Sequence, residues 1–170
     1  MGINLIPYML ESHSGRLHPP CLPNRWIMLD TKQKGILTEL QCITAFNELG
    51  YHISIPYGEN SRYDFIADVS GRLLKIQVKS ASPVKGSEDL AFCFSCRSTR
   101  VNSQGNLSRK YSKNEIDFFC TFYRGKCYLV SVEECSTEKT LRFEKPKNNA
   151  KVNLAEDYEL EKQLIKIIEE

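Results

Sequence analysis

Apolar and polar positions change period several times along the chain. Over residues 34–50, Ile36, Leu37, Leu40, Ile43, Phe46 and Leu49 recur at steps of three and four. That spacing predicts one apolar helical face, with Gly50 as a stop signal. Glu39 stands beside Leu40, at the border of the stripe. Residues 51–56 predict a short strand and 58–62 a loop. Over 63–69 and 72–80 the period falls to two: Tyr63, Phe65, Ala67 and Val69 alternate with polar residues, as do Leu74, Ile76 and Val78. Ser70-Gly71 between these runs is a two-residue hairpin signal. A loop over 83–89 precedes another strand at 91–96. Residues 97–113 are polar and without period, and 115–123 are apolar-rich, either a strand or a helix end. Gly125 turns the chain into a clear strand at 127–132. After a charged linker around Pro146, residues 154–170 predict an amphipathic helix with Leu154, Tyr158, Leu160, Leu164, Ile165, Ile167 and Ile168 as its apolar positions. No segment repeats. The order is helix, three-stranded meander, further strands and helix, a mixed α/β chain.

The first thirty residues differ. His13, His18, Pro19, Pro20, Cys21 and Pro23 fall in a stretch with neither period, so an irregular arm is expected over 1–30 and a single domain over 31–170. Met28, just ahead of the first patterned segment, is a possible start, which makes residues 1–27 dispensable. At 170 residues, 41% hydrophobic and 26% charged, the composition is that of an ordinary globular domain. Such a length buries roughly two-thirds of the unfolded surface and needs no metal or disulfide staple. No apolar run approaches the roughly 20 residues of a membrane span. Seven Cys, an odd number, and no recognisable signal peptide place the chain in a reducing, cytoplasmic compartment. Cys93 and Cys96 form the one CxxC. On a strand they point to opposite faces, and no second ligand pair follows at zinc spacing, so they read as ordinary thiols.

Twenty-three Lys and Arg against 21 Asp and Glu give a formal net charge of +2, which excludes a polycation but not a local basic patch. Arg97, Arg100, Arg109, Lys110 and Lys113 fall within seventeen residues that contain no acid, leaving about −3 elsewhere, and Lys85 lies on the preceding loop. Such one-sided charge suits a phosphate-binding surface, or a solvated basic loop. In the hairpin, the Ser70-Gly71 turn pairs Val69 with Arg72 and sets Asp64 opposite Gln77. Directly opposed side chains lie roughly 5 Å apart at Cβ. Lys79, two residues on, shares their face, while the other face is wholly apolar and must be core. A carboxylate, an amide and an ammonium therefore cluster at one end. A solvated polar ladder fits this pattern as well as a reactive site does. Asp68 shares the face roughly 13 Å away and reads as solvated.

These residues resemble the PD-(D/E)xK nuclease superfamily: a helix with an inward Glu, a strand Asp, a short hairpin and then Gln-Val-Lys. The segments are GILTELQCITAFNELG, carrying Glu39, then YDFIAD and KIQVKS. The downstream SKNEIDFF and KCYLVSVEE are similar to the branch of small bacterial and intron-encoded homing endonucleases. Gln77 stands where the superfamily has an acid, a variant that occurs in the homing branch, and Tyr63 stands where it has Pro. The resemblance implies a restriction-endonuclease-like core, a central mixed sheet flanked by helices. It implies Mg2+-dependent hydrolysis of phosphodiesters in double-stranded DNA, with Mn2+ as an alternative ion. Asp64, Gln77, the Val78 carbonyl and Glu39 would hold the metal, and Lys79 would stabilise charge on the reacting phosphate. Lys85, Arg97, Arg100, Arg109, Lys110 and Lys113 would bind DNA. With one such constellation per chain, a homodimer or higher symmetric oligomer is expected. A restriction-type nuclease or a Holliday junction resolvase on the same core, and a nucleic-acid-binding module with a decayed site, are the rival readings.

Overall fold

The computed structural model describes residues 30–58, 60–102, 105–146 and 150–169. The arm expected over 1–30, with His13, His18, Cys21 and Met28, lies outside them but for Asp30. Asp30 caps the first helix, α1 (Thr31–Glu48): its Oδ1 accepts from Gln33 N–H at 2.8 Å, and Gln33 Oε1 accepts the Asp30 N–H at 3.0 Å. The face that α1 buries shares Phe46 and, in part, Ile43 with the predicted stripe but is rotated away from its other positions. Thr38, Cys42 and Phe46 point inward, while Ile36, Leu37 and Leu40 are about half exposed. Phe46 meets Phe65 edge-on at 5.4 Å, and the Thr38 hydroxyl donates to the Lys34 carbonyl at 2.7 Å while lying 3.2 Å from Ser80 Oγ. Packing on an aromatic and satisfying a hydroxyl won over raw apolar count. The rotation puts Glu39, next to Thr38, on the inward flank.

Among the described residues ten strands follow: β1 (His52–Ser54), β2 (Phe65–Val69), β3 (Arg72–Val78), β4 (Ser82–Pro83), β5 (Ala91–Ser95), β6 (Arg97–Asn102), β7 (Gly105–Lys110), β8 (Phe118–Tyr123), β9 (Lys126–Ser131) and β10 (Glu138–Arg142). A 3-10 turn, Ala155–Tyr158, leads into α2 (Leu160–Glu169), shorter than the predicted helix. The central sheet has the order β1-β2-β3-β8-β9 and is antiparallel except where β3 meets β8, Ile76 against Phe118. A parallel pair requires a crossover, and the chain uses it for β4 to β7. β4, β5 and β10 form a second small sheet, and β6 with β7 forms a separate two-stranded ribbon. The ribbon is a finding over residues 97–113, where the sequence shows no period. β10 was hidden among charged residues; its Lys139, only 5% exposed, is held by Glu134 Oε2 at 3.0 Å and by the Tyr158 hydroxyl at 3.2 Å.

Alternation along β8 and β9 divides the core. Cys120 and Leu129 join Phe46, Phe65, Ala67, Val69 and Ile76 beneath both helices, where α2 contributes Leu160, Leu164 and Ile167. Phe119, Tyr128 and Val130 face the other way, onto Phe92, Phe94 and Leu141 of the small sheet. Both helices thus share one core cluster. Ile165 and Ile168 of α2, read from the pattern as apolar positions, are about half exposed. Among the described residues no helix is long and apolar enough to cross a membrane.

The hairpin register is the predicted one, Val69 against Arg72 through Phe65 against Ile76. Ser70 (φ 54°) and Gly71 (φ 84°) are both left-handed, the conformation a two-residue hairpin turn needs. Asp68, expected to be merely solvated, accepts the Gly71 N–H on its Oδ1 at 2.9 Å and clamps the turn. No atom lies within 4 Å of where a Gly71 Cβ would stand, so only conformation opposes a side chain there. Gly71→Ala is expected to cost about 1–2 kcal/mol and Ser70→Asn to stabilise, read as opposite shifts of the urea midpoint at constant slope.

Candidate active site

Asp64 sits one residue before β2, where its own N–H still donates to the Ile76 carbonyl at 2.8 Å. Its Oδ2 accepts two bonds of 2.6 Å, from the Val78 N–H and from Gln77 Nε2. The same Gln77 nitrogen donates to the Val78 carbonyl at 3.1 Å. One amide nitrogen therefore fills a point on which a carboxylate oxygen and a carbonyl oxygen converge. Amide orientation follows from the surrounding network. Turned over, Gln77 would present Oε1 at that point, and three oxygen groups so close together suit a hard cation. Asp64, Gln77 and Val78 thus fit the donor set of a divalent metal ion. Gln77 is 9% exposed, so this end of the hairpin is not the solvated ladder that alternation alone allows.

Burial pushes the Asp64 carboxyl up; the Val78 N–H, the Lys79 ammonium and the Gln77 amide pull it back only in part, and it stays above its ordinary value. Glu39, half-buried on α1, is also raised, first by burial and then by the negative charge of Asp64.

Lys79 continues β3 toward β8, its N–H donating to the Cys120 carbonyl at 2.9 Å. Its Nζ lies 3.2 Å from the Tyr111 hydroxyl and 5.0 Å from that ring's centroid. The Arg62 guanidinium stacks on the same ring at 4.1 Å and bonds Ser98 Oγ at 2.9 Å, the Lys110 carbonyl at 3.4 Å and Glu115 Oε1 at 3.0 Å. Glu115 also receives Arg109 at 2.6 Å and both the N–H and hydroxyl of Ser112 at 3.0 Å. Partial burial pushes the Glu115 carboxyl up, but the Ser112 bonds and the two guanidinium groups outweigh it and hold it low. Arg62, Tyr111 and Glu115 thereby join the base of the ribbon to Lys79. Tyr111 was expected to pack locally, and it does, edge-on to Phe119 at 5.3 Å. The network behind it carries no local sequence signal, because its members come from four separate segments.

The six predicted DNA-binding cations do not share one environment. Arg97, Arg109 and Lys110 lie on the ribbon, with Arg109 paired to Glu115. Lys113, beyond the ribbon, pairs with Glu133 at 3.0 Å. Lys85 is exposed on the loop between β4 and β5. Arg100 is on β6, but its side chain lies outside the described residues. Among the described residues the CxxC cysteines form no metal set; a group of three Cys appears elsewhere, at Cys42, Cys120 and Cys127.

At the end of its central hairpin this mixed sheet gathers a carboxylate, a buried amide and a lysine, the arrangement of a nuclease site. The structure of a bacterial homing endonuclease, I-Ssp6803I, is similar to it with a TM-score of 0.65, at 23% identity, over 84% of this chain and 99% of that one. The chain belongs to the PD-(D/E)XK endonuclease family, whose sequence pattern matches residues 29–161. No curated protein matches the chain. Nucleases of this family act on DNA and generally use divalent metal ions.

A carboxyl raised in the fold binds its proton more tightly there than in the unfolded chain, so its ionisation destabilises the protein as pH rises through the raised value. With a chelator present, stability should therefore fall as pH climbs from the ordinary carboxyl value through the raised one. Asp64→Asn should raise the melting temperature at pH 7, with the gain vanishing near pH 4. Melting curves across that range would show it; an Asn variant less stable at neutral pH would contradict the assignment.

Proposed function

We propose that the chain is a Mg2+-dependent endonuclease that hydrolyses phosphodiester bonds in double-stranded DNA, as a site-specific, intron-encoded homing endonuclease. The observation that carries this reading is the convergence of Asp64, Gln77 and the Val78 carbonyl beside Lys79, in a chain of a nuclease family. Asp64, the Gln77 side-chain oxygen and the Val78 carbonyl would hold the ion, Glu39 would reach it directly or through a water, and Mn2+ would be accepted in its place. A bound Mg2+ supplies Lewis-acid polarisation of the scissile phosphate and lowers the pKa of an attacking water. Lys79 places a compact positive charge, steadied by Tyr111, where negative charge grows on the phosphate. The homing role is supported by Gln77 at the motif acid and by the shared fold.

The ribbon supports the DNA reading. Two-stranded ribbons are narrow enough to enter a major groove, and this one carries Arg97, Arg100, Arg109 and Lys110. One site cuts one strand, so a double-strand break needs two sites or two binding events, and a homodimer or higher symmetric oligomer would supply the two sites. A restriction-type nuclease or junction resolvase would share the chemistry and differ in substrate. A decayed binding module would bind DNA without cutting it.

Plasmid nicking with Mg2+ or EDTA separates enzyme from module. Lys79→Ala should abolish nicking and leave DNA affinity near normal, because its charge acts mainly in the transition state. Asp64→Asn should lose both nicking and metal binding. Gln77→Glu should be tolerated best, since it restores the family's acid. Full-rate cleavage by Lys79→Ala would end the assignment.

Each phosphate contact removed lowers the slope of log K against log salt by about one unit. Arg97→Ala, Arg100→Ala and Lys110→Ala together should flatten it by as much as ~3. Lys113→Ala, whose charge is already met by Glu133, should change it least. An unchanged slope in the triple variant would put the DNA elsewhere.

A further inference from the structure

Three cysteines that the nuclease chemistry does not use meet in the core. Cys42 comes from α1, Cys120 from β8 and Cys127 from β9, and their sulfurs all lie within 4.8 Å of one another. Cys120 and Cys127 are 3.3 Å apart, sulfur to sulfur. Register explains that pair: Cys127 stands opposite Phe122, so Cys120 is its diagonal neighbour on the same face. Cys42 comes down on them because α1 turns its Thr38–Cys42–Phe46 face inward. We propose that Cys42, Cys120 and Cys127 form a buried three-sulfur site for one thiophilic d10 cation, Zn2+ or Cu+.

Spacing supports this first. Metal–sulfur bonds of about 2.3 Å set the sulfurs around one ion roughly 4 Å apart, so small side-chain movements bring all three into reach. Ligand chemistry supports it next: thiolates select soft ions such as Zn2+ and Cu+ and reject Mg2+, so this site and the oxygen set at Asp64 would not compete for one metal. Binding forms three S–metal bonds as three S–H bonds break, each proton passing to solvent. The fold also offers an access route. Cys42 and Cys120 are fully buried, but Cys127 is 7% exposed and lines a cavity of about 640 Å3 between α1, the β8–β9 turn and the start of α2. Phe122 and Leu160 line the same cavity, with the carboxylates of Glu48 and Glu161 to attract a cation.

The position gives the site a consequence. Cys42 lies one turn after Glu39 on α1, and the Cys120 carbonyl accepts the Lys79 N–H. A bound ion would pin α1, which carries Glu39, to β8, whose Cys120 carbonyl holds the Lys79 N–H at the end of β3. The proposal does not rest on the nuclease reading, since the three sulfurs and the cavity stand whatever Asp64 does.

The test titrates reduced, full-length protein with Cd2+ in excess Mg2+, following the ultraviolet sulfur-to-cadmium charge-transfer band, which an oxygen site does not produce. We expect saturation at one ion per chain, a higher melting temperature and at least tenfold weaker binding in Cys42→Ser, with Cys96→Ser unchanged. Separate arms with Zn2+ and Cu+ against chelators of known affinity tell which ion is preferred. If Cys42→Ser fails to fold, alkylation of the wild-type chain decides: metal should protect Cys42, Cys120 and Cys127 under mild denaturant and leave Cys93 unprotected. Absence of the band, a band that survives Cys42→Ser at full strength, or equal alkylation with and without metal would overturn the proposal.

Discussion

Val69 pairs with Arg72 because Ser70 and Gly71 both accept left-handed backbone, and that pairing decides which side chains of β2 and β3 face each other. A slip of one residue would turn every side chain of the shifted strand to the opposite face. Either Phe65, Ala67 and Val69 or Leu74 and Ile76 would leave the core under the helices, and Gln77 would leave Asp64. The apolar face and the polar cluster therefore depend on the same turn, and each resists a shift that would ruin the other. Asp68 adds a local clamp by accepting the Gly71 N–H.

The polar cluster comes at an energetic cost. Two carboxyls, Asp64 and Glu39, stand in a half-buried setting that disfavours their charge, and the Asp64 charge raises Glu39 further. Two short hydrogen bonds and a lysine offset only part of this for Asp64. A fold selected for stability alone would place apolar or neutral groups there. Strained electrostatics of this kind cluster where charge is used, and a cation relieves them.

Glu115 plays the reverse part. Its charge is favoured by Ser112, Arg62 and Arg109, and it ties the β6–β7 ribbon to the segment just before β2. Arg62 and Lys79 then both meet the ring of Tyr111. The ribbon and Lys79 are linked through packed and hydrogen-bonded groups rather than through a flexible hinge, so a ligand held by one is positioned relative to the other.

Much of this is written locally in the chain. Alternation over 63–80, with its turn, carries the hairpin, its register, its buried face and the Asp64–Gln77 pairing, because strand geometry has a period of two and a two-residue turn permits one register. The type of most long elements follows from period in the same way. Which face of α1 turns inward does not. A helix can offer Ile36, Leu37 and Leu40 or Thr38, Cys42 and Phe46, and only the shape of the sheet beneath chooses the second. The ribbon at 97–110 has too few core contacts of its own to impress a period on its sequence, and β10 hides its period by filling one of its two buried positions with Lys139. The Glu115–Arg62–Tyr111–Lys79 network and the three-cysteine cluster are likewise absent from any local pattern. Their members are far apart in sequence and meet only after β3 pairs in parallel with β8, a choice made by burial across the whole sheet.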